Sequence, residues 1–236
     1  MIQLFVVFHK NLYDECYKNI PQAILDKYFT FIAVNPSIPK IYTQNKYKVI
    51  NEWDFPHYDS TLQEKGYNEN SAIYHIYMNG LHKQYTHIGF FQYDMKFENF
   101  IRYVLTTISD GPVYFPASLH TFHYCSEETW KEPATLEVIL TDYESYFTTP
   151  FRRDELIPLY NAYIIPINAF EKIMPWVIQL FPKLYPWCVQ EPNKTHKGHI
   201  GGIYERIMGY AISQLKMTPK LIKVNHDSFY KMLTQA

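Results

Sequence analysis

Residues Ile2–Phe8 read IQLFVVF and are followed at once by His9 and Lys10. Six of these seven residues are apolar, with Gln3 the one polar member and no polar alternation, which predicts a strand buried on both faces, the kind found in the parallel sheet of an α/β protein. The polar pair marks where that strand leaves the core. Residues 29–34 (FTFIAV) repeat the pattern and stop at Asn35-Pro36-Ser37, a cluster of turn formers. A helix over residues 21–27 fits between the two strands.

Further along, residues 69–81 set Ala72, Ile73, Ile76, Tyr77 and Leu81 at helical spacing, with Asn68 or Asn70 as the N-cap. Residues 85–91 (YTHIGFF) then read as a strand that runs into Gln92-Tyr93-Asp94-Met95. Residues 113–115 give another short strand, with Ser118-Leu119-His120 beyond it. Strands alternating with helices predict an α/β fold: one domain with a mostly parallel central sheet flanked by helices. Ligands of such sheets bind beyond the carboxyl ends of the strands, where His9, Asn35 and Asp94 all fall. The second half is less regular. Tyr163–Pro166 (YIIP) reads as a strand, residues 170–181 as a helix that Pro175 interrupts or delays, and Ile203, Tyr204, Ile207, Met208, Ala211, Ile212 and Leu215 as the strongest helical stripe in the chain.

At 236 residues, with 47% apolar and 19% charged side chains, the chain can bury a sizeable core, and no Ser/Gly-rich stretch divides it. A net charge of −1 supplies no broad positive field, so no nucleic-acid partner is expected and any phosphate must be held locally. Cys16, Cys125 and Cys188 form no CxxC pair, which points away from a disulfide framework or a structural zinc site and toward a reducing, cytoplasmic compartment. Pro158 and Pro166 break the apolar stretch 156–170, so neither a signal peptide nor a transmembrane segment is read; association with a membrane surface through partners stays open, as does the oligomeric state. The 22 tyrosines carry no weight alone, because A/T-rich codons yield the same bias.

Asp94 is the sharpest chemical candidate. A carboxylate just beyond a buried strand can carry a hard cation bridging to a diphosphate, or it can be a plain loop aspartate. Gln92 alternates with it and shares its side of the strand. His199 sits in Gly198-His199-Ile200-Gly201-Gly202, where small residues let backbone approach an anion; it reads as a metal ligand, a phosphate contact or an exposed histidine. Glu205 and Arg206 lie opposite the apolar stripe and face either water or a cleft; in a cleft, Glu205 is a candidate general base and Arg206 a phosphate partner. Asp142 and Glu144 form a second acidic pair, a solvated turn or helix start with a base role as the alternative. His9, Lys10 and Asn35 close strands where nucleotides are met, or serve as polar turns. His57, His75, His82, His87 and His226 have no ligand-like spacing. GxGxxG, Walker, GxSxG and HExxH signatures are absent, which counts against dehydrogenase, P-loop and hydrolase chemistry.

The first strand ending in His9-Lys10, the run Gly66-Tyr67-Asn68-Glu69-Asn70-Ser71-Ala72, the run His87-Ile88-Gly89-Phe90-Phe91-Gln92-Tyr93-Asp94, and Gly201-Gly202-Ile203-Tyr204-Glu205-Arg206 together resemble GT-A-type glycosyltransferases, among them capsular-polysaccharide enzymes and glycosyltransferase domains of large DNA viruses. The resemblance implies a nucleoside-diphosphate sugar donor, UDP type favoured, a glycan or other hydroxyl acceptor, and Mn²⁺ or Mg²⁺ on the diphosphate. Such enzymes hold the metal with an Asp-x-Asp motif; here the stretch reads Gln92-Tyr93-Asp94, so Asp94 binds it alone or through water, with His199 completing the shell. Capsular relatives more often read His-Tyr-Arg here. The resemblance also places His9, Lys10, Asn35, Ser71, Tyr74, Gln92, Tyr93 and Arg206 around the nucleotide. It divides the chain into a nucleotide-binding half (1–115) and an acceptor-side half (116–236). The missing first acid motivates a competing expectation, a non-catalytic carbohydrate-binding or scaffolding module. A nucleotidyltransferase is disfavoured by the lack of an early phosphate-binding glycine loop.

Overall fold

The computed structural model describes residues 1–9, 12, 14–36, 46–95, 101, 105, 111–115, 118–129, 133–190 and 200–222. Strand β1 (Ile2–Phe8) is buried along its whole length and sits inside a seven-stranded sheet. On one side it pairs in parallel with β2 (Phe29–Ala33), which pairs in parallel with β3 (Val49–Asn51). On the other it pairs in parallel with β4 (His87–Gln92). Beyond β4 come β8 (Tyr163–Pro166), antiparallel to both neighbours, then β5 (Val113–Tyr114) and β9 (Lys220–Leu221), so the order is β3-β2-β1-β4-β8-β5-β9. Six strands run one way and β8 runs the other. A separate two-stranded piece joins β6 (Leu119–His120) to β7 (Ile157–Pro158).

Alternation along each strand divides the core into two layers. Phe5, Val7, Ile32, Ile88, Phe90, Tyr163 and Ile165 point to one face, covered by α3 (Glu69–Met78), α5 (Pro133–Phe147), α6 (Ile167–Gln190) and α7 (Ile200–Ser213). Leu4, Val6, Phe8, Phe29, Phe31, Phe91 and Ile164 point to the other, covered by α1 (Gln22–Tyr28) and the segment around Cys16, Tyr17 and Ile20. Burial on both faces is why these strands read as near-continuous apolar runs. Gly89 lies between side chains of β1 and β8: a Cβ there would stand 2.8 Å from Leu4 Cδ2 and 2.9 Å from Ile164 Cγ1. Cys16 and Cys125 are buried, and neither is in a disulfide.

Several elements differ from the sequence reading. The helix expected at 170–181 runs from Ile167 to Gln190 straight through Pro175, Pro182 and Pro186. All three prolines are exposed, and their spacing keeps them on the water side, where carbonyls deprived of a helical N–H donor are solvated. Asp142 and Glu144 belong to the second half of α5, not to a turn or a helix start. Asn68 is the N-cap of α3 in position only: its φ is 52° and its side chain makes no capping bond. The Asn70 amide instead reaches Gly201 O at 2.9 Å and ties the start of α3 to the start of α7. Gly201 is needed there, because a Cβ would meet Asn68 Nδ2 at 2.9 Å and Gly66 O at 3.1 Å. Among the described residues no helix is long and apolar enough to cross a membrane.

Candidate functional site

The strand order turns around between β1 and β4: the chain leaves β1 toward β2 on one side and returns at β4 on the other. At such a switch point the connections diverge and leave a crevice at the carboxyl edge. His9 emerges there from β1, and its ring meets Tyr93 edge-on, with centroids 5.2 Å apart at 86°. The carbonyl of His9 accepts from Asn35 Nδ2 at 3.2 Å, which links the ends of β1 and β2. His9 Nδ1 lies 3.4 Å from Glu69 Oε1, close enough for an ion pair yet outside hydrogen-bond geometry. Met95 N donates to Gln92 O at 3.3 Å and closes the turn that carries half-buried Asp94. Beneath it, Tyr17 donates its hydroxyl to Tyr93 O at 3.0 Å. Burial first, then neighbouring acidic groups including Asp94, hold that phenol far above its ordinary pKa, so it stays a proton donor.

A second group gathers at the same edge from the other half of the chain. Because β8 is antiparallel, its beginning and not its end lies beside the end of β4. Tyr163 pairs with Phe90, which brings Asn161 level with Gln92. Tyr160 and Asn161, at φ 62° and 46°, form the middle of a two-residue turn closed by Ala162 N donating to Leu159 O at 3.2 Å. Asn tolerates that backbone, but both atoms of its amide are buried without a hydrogen-bond partner among the described residues. Ser118 O accepts from Leu159 N at 2.9 Å, and β6 beyond it carries His120. The His120 ring stacks on Tyr124 of α4 (Phe122–Thr129) at 4.7 Å and meets Tyr160 edge-on at 5.6 Å.

Helix α7 packs over this corner. A Cβ on Gly209 would lie 2.5 Å from Pro158 O, so glycine permits the approach, and Arg206 follows one turn earlier on the helix. Glu205 and Arg206 are only 14% and 13% exposed and 3.6 Å apart, so of the two expected surroundings they have the enclosed one. Arg206 Nη1 donates to Gly202 O at 3.0 Å, while its Nε is buried without a hydrogen-bond partner among the described residues. Burial and then the Arg206 charge hold the His120 imidazole below its ordinary pKa. Burial pushes the Cys125 thiol up to about 12, against a smaller opposing pull from Arg206. Glu69, His120 and Asn161 were not singled out for chemistry by the sequence. His120 follows a short strand run and could have been, whereas Asn161 needs the direction of β8 to be known.

Other expected site residues lie elsewhere. Ser71, expected to line the nucleotide pocket, has a fully enclosed side chain whose hydroxyl donates to Glu52 Oε1. Glu52 Oε1 also meets His75 Nδ1 at 2.8 Å, and Oε2 accepts from Gln63 Nε2 at 2.9 Å. Tyr74 stands in a separate groove of about 630 Å³ between α3 and α6, beside Tyr67, Phe181 and Tyr185, and not at the strand ends. Asp142 accepts from Trp176 Nε1 at 3.0 Å and Lys183 Nζ at 2.7 Å, and Glu144 accepts from Phe151 N at 2.9 Å. Both acids hold α5 in place through those bonds. Lys10 and His199 lie outside the described residues.

Among the described residues no group of three or more His, Cys, Asp or Glu could hold a metal ion. Those described donors do not by themselves make a cage for a cation. A single carboxylate at Asp94 does suit a Mg²⁺- or Mn²⁺-type ion that takes its remaining ligands from phosphate oxygens and water.

No protein-family model matches the sequence, and no curated protein matches it. The fold is similar to that of the bifunctional glycosyltransferase WbbM in its apo form, with a TM-score of 0.57 at 14% identity over 94% of this chain. This chain corresponds to 44% of the length of that protein. Mouse xyloside xylosyltransferase 1, apo form, aligns over 94% of this chain and 85% of its own at 10% identity, with a TM-score of 0.44.

Proposed function

We propose that the protein transfers a glycosyl group, hexosyl or deoxyhexosyl, from a nucleoside-diphosphate sugar of UDP type to a hydroxyl of a glycan or similar acceptor. The observation that carries the reading is the convergence of His9, Asn35, Tyr93 and Asp94 at the switch point between β1 and β4, on a fold shared with a solved glycosyltransferase. In this reading the base and ribose lie over the ends of β1 and β2, near His9 and Asn35. The diphosphate lies over the end of β4, near Gln92 and Asp94. Asp94 holds a Mn²⁺ or Mg²⁺ ion that arrives with the donor, and the ion neutralises charge on the leaving diphosphate.

The protein itself orients the reactants. The crevice holds the anomeric carbon in line with the acceptor oxygen, which replaces a bimolecular encounter by a positioned one. Arg206, enclosed on α7, adds a positive charge. Asp142 and Glu144 accept hydrogen bonds that hold α5, and in this reading the proton acceptor is Glu205, enclosed beside Arg206 on α7.

The test is a thermal-shift series with UDP, other nucleoside diphosphates and Mn²⁺. UDP with Mn²⁺ at a hundred times its Kd stabilises the fold by about 2.7 kcal/mol, and Asp94→Ala abolishes most of the rise in Tm. No shift with any nucleotide, with or without metal, sinks the reading. Release of free UDP from a panel of UDP-sugars separates transfer from a binding-only module on the same fold.

A further inference from the structure

The groove between α3 and α6 measures about 630 Å³, inside the range of roughly 300–1,000 Å³ common for small-molecule sites, and none of its lining residues belongs to a strand. The donor proposed above makes no use of it. Its bulk is aromatic. Tyr67 and Phe181 are buried and stack at 4.6 Å and 27°, and Tyr67 donates its hydroxyl to Phe181 O at 3.3 Å. Half-buried Tyr74, from α3, meets Phe181 at 5.5 Å, and half-buried Tyr185, from α6, lies 6.4 Å from Tyr67 at 23°.

Polar groups stand around these rings. Asp59 and Lys65 bracket the short helix Ser60–Glu64, and Asp59 Oδ1 is fixed by accepting from Thr61 N at 3.0 Å and Thr61 Oγ1 at 2.7 Å. Lys65 Nζ stands 4.9 Å from the Tyr185 ring centroid, and Gln179 lines the groove from α6. Burial first, then the Asp59 charge, hold the Tyr74 phenol above its ordinary pKa, so it remains a proton donor. Among the described lining residues Asp59 is the one carboxylate and Lys65 the one ammonium, so their charges cancel.

Those features decide between occupants. A nucleotide, a phosphopeptide or a nucleic acid would demand surplus positive charge. An aliphatic chain would leave the acid, ammonium, amide and phenols without partners, and each costs free energy when desolvated alone. A sugar ring meets both demands. Its C–H groups carry slight positive charge to the negative face of an aromatic ring, and each of its hydroxyls both donates and accepts.

We propose that this groove binds a neutral glycan chain, with sugar rings against Tyr74 and Tyr185 and sugar hydroxyls on Asp59, Lys65 and Gln179. The choice of a saccharide rests on the glycosyl-transfer reading, in which a glycan is the acceptor. The groove is nevertheless a second site, separate from the strand ends.

The experiment titrates the full chain, without donor or metal, with neutral linear tetrasaccharides of glucose, galactose, mannose, xylose and N-acetylglucosamine. Binding is read by calorimetry and by saturation-transfer NMR from the protein's aromatic protons. At least one saccharide binds with a Kd of about 1 mM or tighter, and transfer is strongest to its ring C–H protons. Tyr185→Leu keeps apolar bulk but removes the ring and weakens that binding on the order of tenfold, whereas Tyr185→Phe stays within about threefold. Binding of no saccharide by about 10 mM overturns the proposal, and so does a leucine variant that binds as well as wild type. Self-association abolished by Tyr185→Leu, or decanol bound in preference to every saccharide, assigns the groove to another occupant and overturns it equally. Should the leucine variant fail to fold, wild type decides alone, because absence of transfer from aromatic protons refutes the stacking. With no donor present, failure here leaves the transfer reading standing, and a missing UDP shift sinks that reading without touching the glycan titration.

Discussion

Glu52, Ser71, His75 and Gln63 on one side, and His120, Asn161 and Arg206 on the other, are two polar clusters made from similar residues. In the first, His75 Nε2 accepts from Asp59 N at 2.9 Å, which puts the ring proton on Nδ1 for donation to Glu52. The Glu52 carboxyl receives three donors, and neither it nor His75 has any exposed surface. That cluster joins the turn after β3 to α2 (Ser60–Glu64) and α3 and needs nothing from outside. The second holds several buried polar atoms that have no hydrogen-bond partner among the described residues. A satisfied buried network serves architecture, whereas an unsatisfied one lowers stability unless a ligand completes it.

This contrast can be broken at either end. The largest effect is expected for Glu52→Ala, which strands three donors in the core and lowers stability by about 3 kcal/mol or more, read as a fall in the urea midpoint. A loss under about 1 kcal/mol would mean that the first cluster is dispensable. Asn161→Gly keeps the positive φ and deletes two unpaired atoms, so its midpoint stays within about 1 kcal/mol of wild type. A loss as large as that of Glu52→Ala would show the Asn161 amide to be satisfied after all. The smallest effect is in pH dependence. The His120 pKa is lower in the folded protein than its ordinary 6.5, so the unfolded chain takes the proton first as pH falls. Its contribution is therefore complete above about pH 6.5 and is lost as pH drops toward the folded value. Subtracting the stability curve of His120→Gln from that of wild type isolates this slope, and a flat difference over that window refutes the shift.

The comparison also shows what a sequence can carry. β1, β2 and α7 were legible because burial on both faces, or along one stripe, leaves a local pattern. His9, Asn35 and Asp94 were legible as strand ends for the same reason. The role of Ser71 was not, since its partner Glu52 lies 19 residues away and is fixed by tertiary packing. α6 was cut short on paper because proline is penalised by average propensity, whereas here all three prolines face water. The second cluster was invisible as a unit: it depends on β8 running backwards, a property of strand pairing and not of the segment YIIP itself.

The reversal of β8 has a further consequence for how this edge can change over time. The strand's inward and outward residues are set from the turn at 160–161, with Tyr163 and Ile165 in one core layer and Ala162 and Ile164 in the other. Lengthening that turn by one residue would exchange the two layers and expel tyrosine from its socket. Evolution can therefore retune this side of the crevice by swapping side chains but not by insertion.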